Sequence, residues 1–294
     1  MGLAALLLVG GGRAGAARFD QARAWEHLVR QCSFGPRVSG QPGHAQCLAY
    51  LQSTLSQYSR QVRQQELEAP VAGKQVRFVN VLADFPAGPG AEHVLLCAHW
   101  DTRPRADRER DPEQRGQPIL GANDGASGVA VLLEVARLLA ERPCPYHVTI
   151  ALFDGEDYAS GAAEMFAGAK EYARHPWPSR PQWGVLLDMV GDRNLRVLRE
   201  QYSAAHAAAV VSRLWAAAGR VGAKAFGRGA GYLVMDDHWP LTEAGTPTAV
   251  VIDFDYPHWH RLTDIPANCA PESLGEVGRT VEEVLWGKRP TSTS

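Results

Sequence analysis

Cysteine is scarce and badly spaced for a scaffold. Cys32, Cys47, Cys97, Cys144 and Cys269 make five, with no CxxC pair among them. Neither a thiolate zinc site nor a dense disulfide framework is therefore indicated, and one bridge remains possible. An excess of one charge is lacking too: 30 Lys and Arg stand against 32 Asp and Glu, for a net charge of −2. Without a basic excess the chain has no global field that would favour nucleic acid or an anionic membrane. Long hydrophobic runs are also absent, since the apolar stretch from Leu3 to Val9 is far short of the ~20 residues a membrane-spanning helix needs. No internal repeat or long linker interrupts the chain.

What is present is ordinary globular composition: 294 residues, 45% apolar and 21% charged, which excludes disorder and allows a real core. Length alone suggests about two domains of roughly 150 residues. The 19 Pro, 29 Gly and eight Trp imply many shaped loops and aromatic walls, the usual material of pockets. The first residues, MGLAALLLVGGGRAGAARFD, carry a short apolar run followed by small residues with an Ala-x-Ala-like stretch at Ala14 to Ala17, although no Lys or Arg precedes the run. Residues 1–18 are read as either a secretory signal, which would send the protein into the secretory pathway, or a disordered leader.

Hydrophobic spacing predicts helices at Ala22–Gln31 and His44–Tyr58, then strands at Gln61–Glu68 and Gln75–Phe85 with Pro70–Gly73 as the hairpin turn. A βα alternation follows. Strands are expected at Val94–Ala98, His147–Phe153, Trp183–Leu187 and Thr248–Ile252, with helices at Gly125–Ala140, Gly161–Ala173, Ala204–Ala218 and Leu274–Trp286. This pattern predicts an α/β fold, a single-domain three-layer sandwich whose central twisted sheet is mixed but mostly parallel, with helices on both faces.

In such sheets ligands sit beyond the carboxyl ends of the strands. Those ends carry His99 and Asp101 (AHWD), Asp124 (GANDGASG), Asp154, Glu156 and Asp157 (DGED), Asp188 (LLDMVGD), and His258 and His260 (PHWH). Singly, each has a bland explanation: Asp124 as a helix cap, DGED as a solvated turn. Jointly they crowd carboxylates and imidazoles into one cleft, and acids that close cannot all ionise without a cation. Oxygen and imidazole ligands without thiolate suit Zn²⁺ in an open catalytic site. Neighbouring side chains diverge at a strand end, so of Glu156 and Asp157 one can bind metal while the other faces substrate as an acid/base. Asp154 is expected only to orient the turn.

Taken in order, AHWD, GANDGASG, FDGED, LLDMVGD and PHWHRLTD resemble the motifs of the zinc aminopeptidases with co-catalytic metals. Within that group the chain is most similar to the animal-type glutaminyl-peptide cyclotransferases, from Arg37 to Trp286. The likeness is strongest at VMDDHWPLTEAGTP and at Trp259-His260, followed by Thr263 and Asp264. The resemblance implies Asp124, Asp157 and His260 as zinc ligands, Glu156 as general acid/base, Asp188 and Asp237 as its acidic partners, and Trp259 against the substrate. It implies a catalytic domain over residues 19–288, followed by a tail over 289–294. The substrate would be a peptide or protein N-terminus bearing Gln, with Glu as a further substrate; the product would be pyroglutamate, with ammonia released from Gln, and the enzyme a monomer.

His99 matches a position that holds a second zinc in the aminopeptidases but is unused in the single-zinc cyclases, so the resemblance favours one zinc per chain and leaves two possible. The rival reading is a di-zinc aminopeptidase in which His99 and Asp188 complete a second site, and a third is a zinc-binding module without activity. Departures concern the substrate pocket more than the metal site. Asp157 stands where these families usually have Glu, Ala249-Val250-Val251 replace a strand that commonly carries His, and Tyr158-Ala159-Ser160 leads on without the usual Trp-bearing insertion. The run RPRADRERDPEQRG after AHWD reads as a solvated loop, with Arg103 and Arg105 candidates for contacts to peptide carbonyls. His238 and His258 are candidates for support behind the site.

Overall fold

The computed structural model describes residues 17–161 and 163–287. The leader read at residues 1–18 lies outside them except for its last two residues, and the tail 289–294 lies wholly outside. In chain order the elements are α1 (Gln21–Cys32), α2 (Pro42–Tyr58), β1 (Gln61–Val71), β2 (Lys74–Phe85), β3 (His93–His99), α3 (Ala126–Glu141), β4 (His147–Phe153), α4 (Ala167–Arg174), β5 (Trp183–Asp188), β6 (Val197–Arg199), α5 (Gln201–His206), α6 (Ala208–Val221), β7 (Phe226–Ala230), α7 (His238–Glu243), β8 (Thr248–Ile252) and α8 (Pro271–Trp286). The main sheet runs β1-β2-β4-β3-β5-β8. β1 with β2 and β2 with β4 are antiparallel, and β4, β3, β5 and β8 are parallel neighbours. The expected mixed, mostly parallel sheet is what forms.

Side-chain alternation divides the core into two layers. Val94, Leu96 and Ala98 of β3 face the cluster that contains Leu28 of α1, Val129 of α3 and Val281 of α8. Leu95 and Cys97 face the opposite cluster, with Tyr172 of α4 and Leu241 of α7. These strands are buried on both faces, which is why they read as continuous apolar runs. Helix α3 lies close on the sheet because Gly128 brings it to β5: a Cβ there would fall inside the van der Waals contact of the Leu187 carbonyl oxygen. Cys32, Cys47, Cys97 and Cys269 are buried thiols that form no bridge.

Several boundaries differ from the expectation, each for a local reason. The hairpin turn is Ala72-Gly73 alone, both at positive φ (48° and 76°), as a two-residue I′-type turn requires. Pro70 is therefore a residue of edge strand β1 opposite Gln75, where a missing N–H costs little. α4 starts at Ala167 rather than Gly161 because Phe166 at φ 63° breaks helical continuity. The helix expected over Ala204–Ala218 is two helices, divided at Ala207, whose φ of −132° is not helical. The short pairing of β6 with β7 and the six-residue α7 were not expected.

At the amino ends of β3 and β4, His93 pairs with His147 across the parallel ladder, and their rings stack at 4.3 Å with an interplanar angle of 23°. His147 Nε2 lies 2.7 Å from Asp84 Oδ1, His93 Nε2 is 2.8 Å from Thr149 Oγ1, and His93 Nδ1 is 3.1 Å from Ser179 Oγ. Asp84, His93 and His147 bring potential ligand atoms within 4.8 Å of one another. Near-parallel rings cannot both aim a lone pair at one ion, so this is a hydrogen-bonded polar base to the sheet.

Two outcomes are expected. Gly128→Ala should destabilise the protein by about 1–3 kcal/mol in urea unfolding, with α3 or β5 displaced. Burial, with His147 second, holds the His93 pKa down from 6.5 to about 4. Folding therefore favours neutral His93, and its contribution is complete above 6.5 and fades as pH falls towards 4. Over that interval the stability of His93→Gln should fall less steeply with acid than that of the wild type.

Candidate active site and metal centre

Parallel β3, β4, β5 and β8 end on one edge of the sheet, and the loops that follow them bring the predicted residues together. Asp124, Asp157 and His260 each offer a ligand atom, all within 4.8 Å of one another. His260 Nε2 lies 3.6 Å from Asp124 Oδ2 and 3.4 Å from Asp157 Oδ1. A second set, His99, Asp124 and Asp188, shares Asp124 with the first. Here His99 Nε2 is 3.1 Å from both Asp124 Oδ1 and Asp188 Oδ1. Glu156 Oε2 is 3.8 Å from His99 Nδ1, and Asp124, Glu156, Asp157, Asp188, Trp259 and His260 line a cavity of about 500 Å³, whereas buried His99 does not.

Local backbone chemistry explains how so many acids are held. The Asp101 carboxylate accepts from the backbone N–H of Glu156 (3.2 Å) and of Asp157 (3.1 Å), so the end of β3 fixes the DGED loop. Asp264 does the same for the GAND loop, accepting from the N–H of Asn123 (2.8 Å) and Asp124 (3.1 Å) and from the Tyr256 hydroxyl (2.9 Å). Gly125, at φ 96°, begins α3 where a Cβ would press on the Asp101 carbonyl oxygen. That residue, not Asp124, occupies the cap position, and no side chain caps the helix, which leaves the Asp124 carboxylate to the site. His260 itself has φ 55°, a left-handed conformation costing roughly 1–3 kcal/mol in a non-glycine residue and persisting where the surroundings enforce it. Asp154 accepts from Val79 N–H (2.7 Å) and lies 2.9 Å from His44 Nε2, the turn-orienting role expected of it.

The electrostatics are those of a site short of positive charge. Burial, then Asp157, raises the Asp124 carboxyl above its usual range. Burial raises Glu156 far above it, with Asp157, Asp236 and Asp237 adding to the shift. Burial also takes Asp237 up to about 8. Burial acts against the charge on His260, yet Asp157 and Asp107 carry that imidazole up to about 9. Asp124, Glu156, Asp237 and the His260 imidazole are drawn towards their protonated forms, so protons are filling a demand for cationic charge, whereas His260 and Arg103 hold the Asp157 carboxyl below its usual range against its burial. Asp157 Oδ2 is buried without a hydrogen-bond partner. With an oxygen and imidazole donor set around it, that orphaned oxygen fits a divalent ion such as zinc.

Two expectations shift. Asp236, one residue before Asp237, lines the cavity, while fully buried Asp237 does not. Adjacent side chains diverge where the loop enters α7, and a repeated Asp carries no signal as to which faces inward. The run RPRADRERDPEQRG is not solvated throughout: Arg103 is buried, with Nη1 2.6 Å from Asp157 Oδ1. His238 is buried 3.3 Å from Glu200, and His258 lies 2.8 Å from the Thr263 hydroxyl. Neither lines the cavity. The anchors Asp101 and Asp264 were quoted within motifs, but side-chain-to-backbone bonds across 55 and 141 residues have no sequence signature.

Residues 80–285 match the profile of peptidase family M28. The chain is 25% identical over 304 residues to the glutaminyl-peptide cyclotransferase-like protein of Bos taurus, an alignment covering 91% of this chain and 76% of that one. It resembles a glutaminyl cyclase of Bacteroides thetaiotaomicron, solved with bound N-acetylhistamine, at a TM-score of 0.88 and 32% identity, over 94% of this chain and 100% of that one. A leucine aminopeptidase precursor from the same organism gives a TM-score of 0.89 and 31% identity, over 94% and 99% of the two chains.

Asp101→Ala should strip two buried N–H groups of their acceptor, lowering stability by about 2 kcal/mol or more in urea unfolding. Asp101→Asn, which keeps one acceptor oxygen, should lose less.

Proposed function

The chain belongs to peptidase family M28, and on that footing we propose that it is a zinc-dependent glutaminyl-peptide cyclotransferase, converting N-terminal Gln of peptides to pyroglutamate with release of ammonia. The observation that carries this reading is the pair Asp236-Asp237, buried beside Glu156 with Asp236 Oδ2 and both Asp237 oxygens lacking hydrogen-bond partners. Hydrolysis needs one base to activate water. Carboxylates beyond the ligand sets instead suit a reaction that must hold a cationic amine and move its proton within the site.

Asp124, Asp157 and His260 would hold the zinc, which supplies Lewis acidity towards a carbonyl oxygen when bound. Glu156, kept protonatable by burial, accepts a proton as the substrate α-amine attacks its own γ-carbonyl and gives one to the departing ammonia. Protons and atoms balance without an external nucleophile. Asp188 and Asp236 on the cavity wall hold the amine before attack, and Phe254 and Trp259, packed at 5.0 Å between ring centroids, enclose the chain in the folded conformer that brings amine and carbonyl together. Leu233, Met235 and Met189 complete an apolar wall suited to the five-membered lactam.

A second reading, a di-zinc aminopeptidase, is favoured by one observation: His99 Nε2 stands 3.1 Å from both Asp124 and Asp188, a second ligand set joined to the first. Incubating the zinc-loaded protein with Gln-peptides and a Leu-aminoacyl reporter in parallel separates the two. Loss of one ammonia by mass with an intact reporter is expected; free Leu without ammonia would sink the cyclase reading. Glu156→Gln should lower cyclisation by about 10²–10⁴-fold and leave zinc content unchanged.

A further inference from the structure

We propose that Arg103 and Asp107 form a brace that positions two of the three zinc ligands, Asp157 and His260, and confines Asp157 to a single ligating oxygen. The inference rests on the ligand set given above and not on which reaction the site performs. Arg103 Nη1 lies 2.6 Å from Asp157 Oδ1, and the same nitrogen reaches the carbonyl oxygens of Asp157 (3.4 Å) and Ala159 (3.3 Å). The other edge of the guanidinium grips Asp107 Oδ2 through Nε at 2.9 Å and Nη2 at 2.8 Å. Asp107 Oδ1 in turn lies 3.1 Å from His260 Nδ1. The brace thus reaches from the DGED loop to the His260 loop through four side chains. Two further bonds pin it to the His260 side, from Arg108 N–H to the His260 carbonyl (3.3 Å) and from Leu262 N–H to Glu109 Oε1 (2.8 Å).

The consequences for the ligands are specific. Hydrogen bonding of Nδ1–H to Asp107 fixes the imidazole tautomer and turns Nε2, with its lone pair, towards Asp124 and Asp157. Arg103 occupies one oxygen of Asp157, and the other, Oδ2, is the buried oxygen without a partner. A planar guanidinium can hold both carboxylates at once in this geometry, whereas an ammonium is a single point charge. Asp157 is one methylene shorter than the Glu usual in the related families, so the side chain has little reach with which to correct its own position. Arg103, bound to Oδ1, supplies that correction.

The test is zinc affinity of the metal-free protein by competition with a chromophoric chelator, with a thermal melt of each apo variant as a check on folding. Arg103→Met should lose about 10–100-fold in affinity. Arg103→Lys should recover part of that loss, and Asp107→Asn, which spares the Arg103–Asp157 contact, about tenfold less affinity than wild type. Cobalt-substituted Arg103→Met should show weaker visible absorption than cobalt-substituted wild type, because a released Asp157 can bind through both oxygens and raise the coordination number. Wild type, Arg103→Met and Asp107→Asn binding zinc equally, with unchanged cobalt spectra, would overturn the brace alone. A wild type that binds no zinc would overturn the ligand set and the brace with it. If Arg103→Met does not fold, the Asp107→Asn affinity and spectrum decide: a wild-type value for both overturns the brace.

Discussion

The constraint on which the site depends is the burial of more carboxylates than the protein's own cations can balance. Asp124, Glu156, Asp157, Asp188, Asp236 and Asp237 are all buried at one edge of the sheet. Among the described residues, the cationic groups within 4 Å of these acids are the imidazoles of His99 and His260 and the Arg103 guanidinium, and Lys170 acts on Asp237 from farther away. Desolvating an ionised carboxylate costs several kcal/mol even after relaxation, so this arrangement is tolerated only with cationic charge in its midst. That is why the same residues that strain the fold electrostatically make a site for a divalent ion. A chain with a net charge of only −2 carries a strongly acidic centre because its charges are unevenly placed.

Holding those acids in place falls largely to other acids. Asp101 and Asp264 spend their oxygens on backbone N–H groups at the roots of the DGED and GAND loops, and Asp154 does the same for Val79. A carboxyl whose oxygens accept from backbone amides is held in place by them, so it adds rigidity without competing for the metal. Three kinds of Asp therefore stand around one site: anchors to the backbone, ligand candidates, and acids beside Glu156 with carboxylate oxygens that lack hydrogen-bond partners. Composition cannot separate them, and only hydrogen-bond partners do.

That distinction marks how far the sequence could be read. Strands β3, β4, β5 and β8 were legible because strands buried on both faces are short apolar runs between breakers, and their order placed Asp124, Asp157, Asp188 and His260 at one edge. Elements whose formation depends on contacts distant in the chain were not legible. The division of α5 from α6 turns on a single non-helical residue, Ala207, and the β6–β7 pair joins three residues to five across a helical pair. Within the site, Asp236 was masked by its identical neighbour. Arg103 was masked by a charged run whose later residues really are exposed, since nothing in RPRADRERD distinguishes the arginine that turns inward.

The shared position of Asp124 also bears on the relation between the two chemistries. One of its oxygens lies towards His260, at 3.6 Å, and the other towards His99, at 3.1 Å. The two ligand sets are therefore two sides of one carboxylate. On the His99 side, Nε2 has a single valence to offer: it either carries a proton shared with Asp124 and Asp188 or gives a lone pair to an ion. Both states bring positive charge between the same two carboxylates, so the fold's electrostatic demand is met with one metal plus a proton or with two metals. A scaffold of this kind can pass between a single-metal and a two-metal site without rebuilding its loops. Asp236 and Asp237 lie outside both ligand sets, buried beside Glu156.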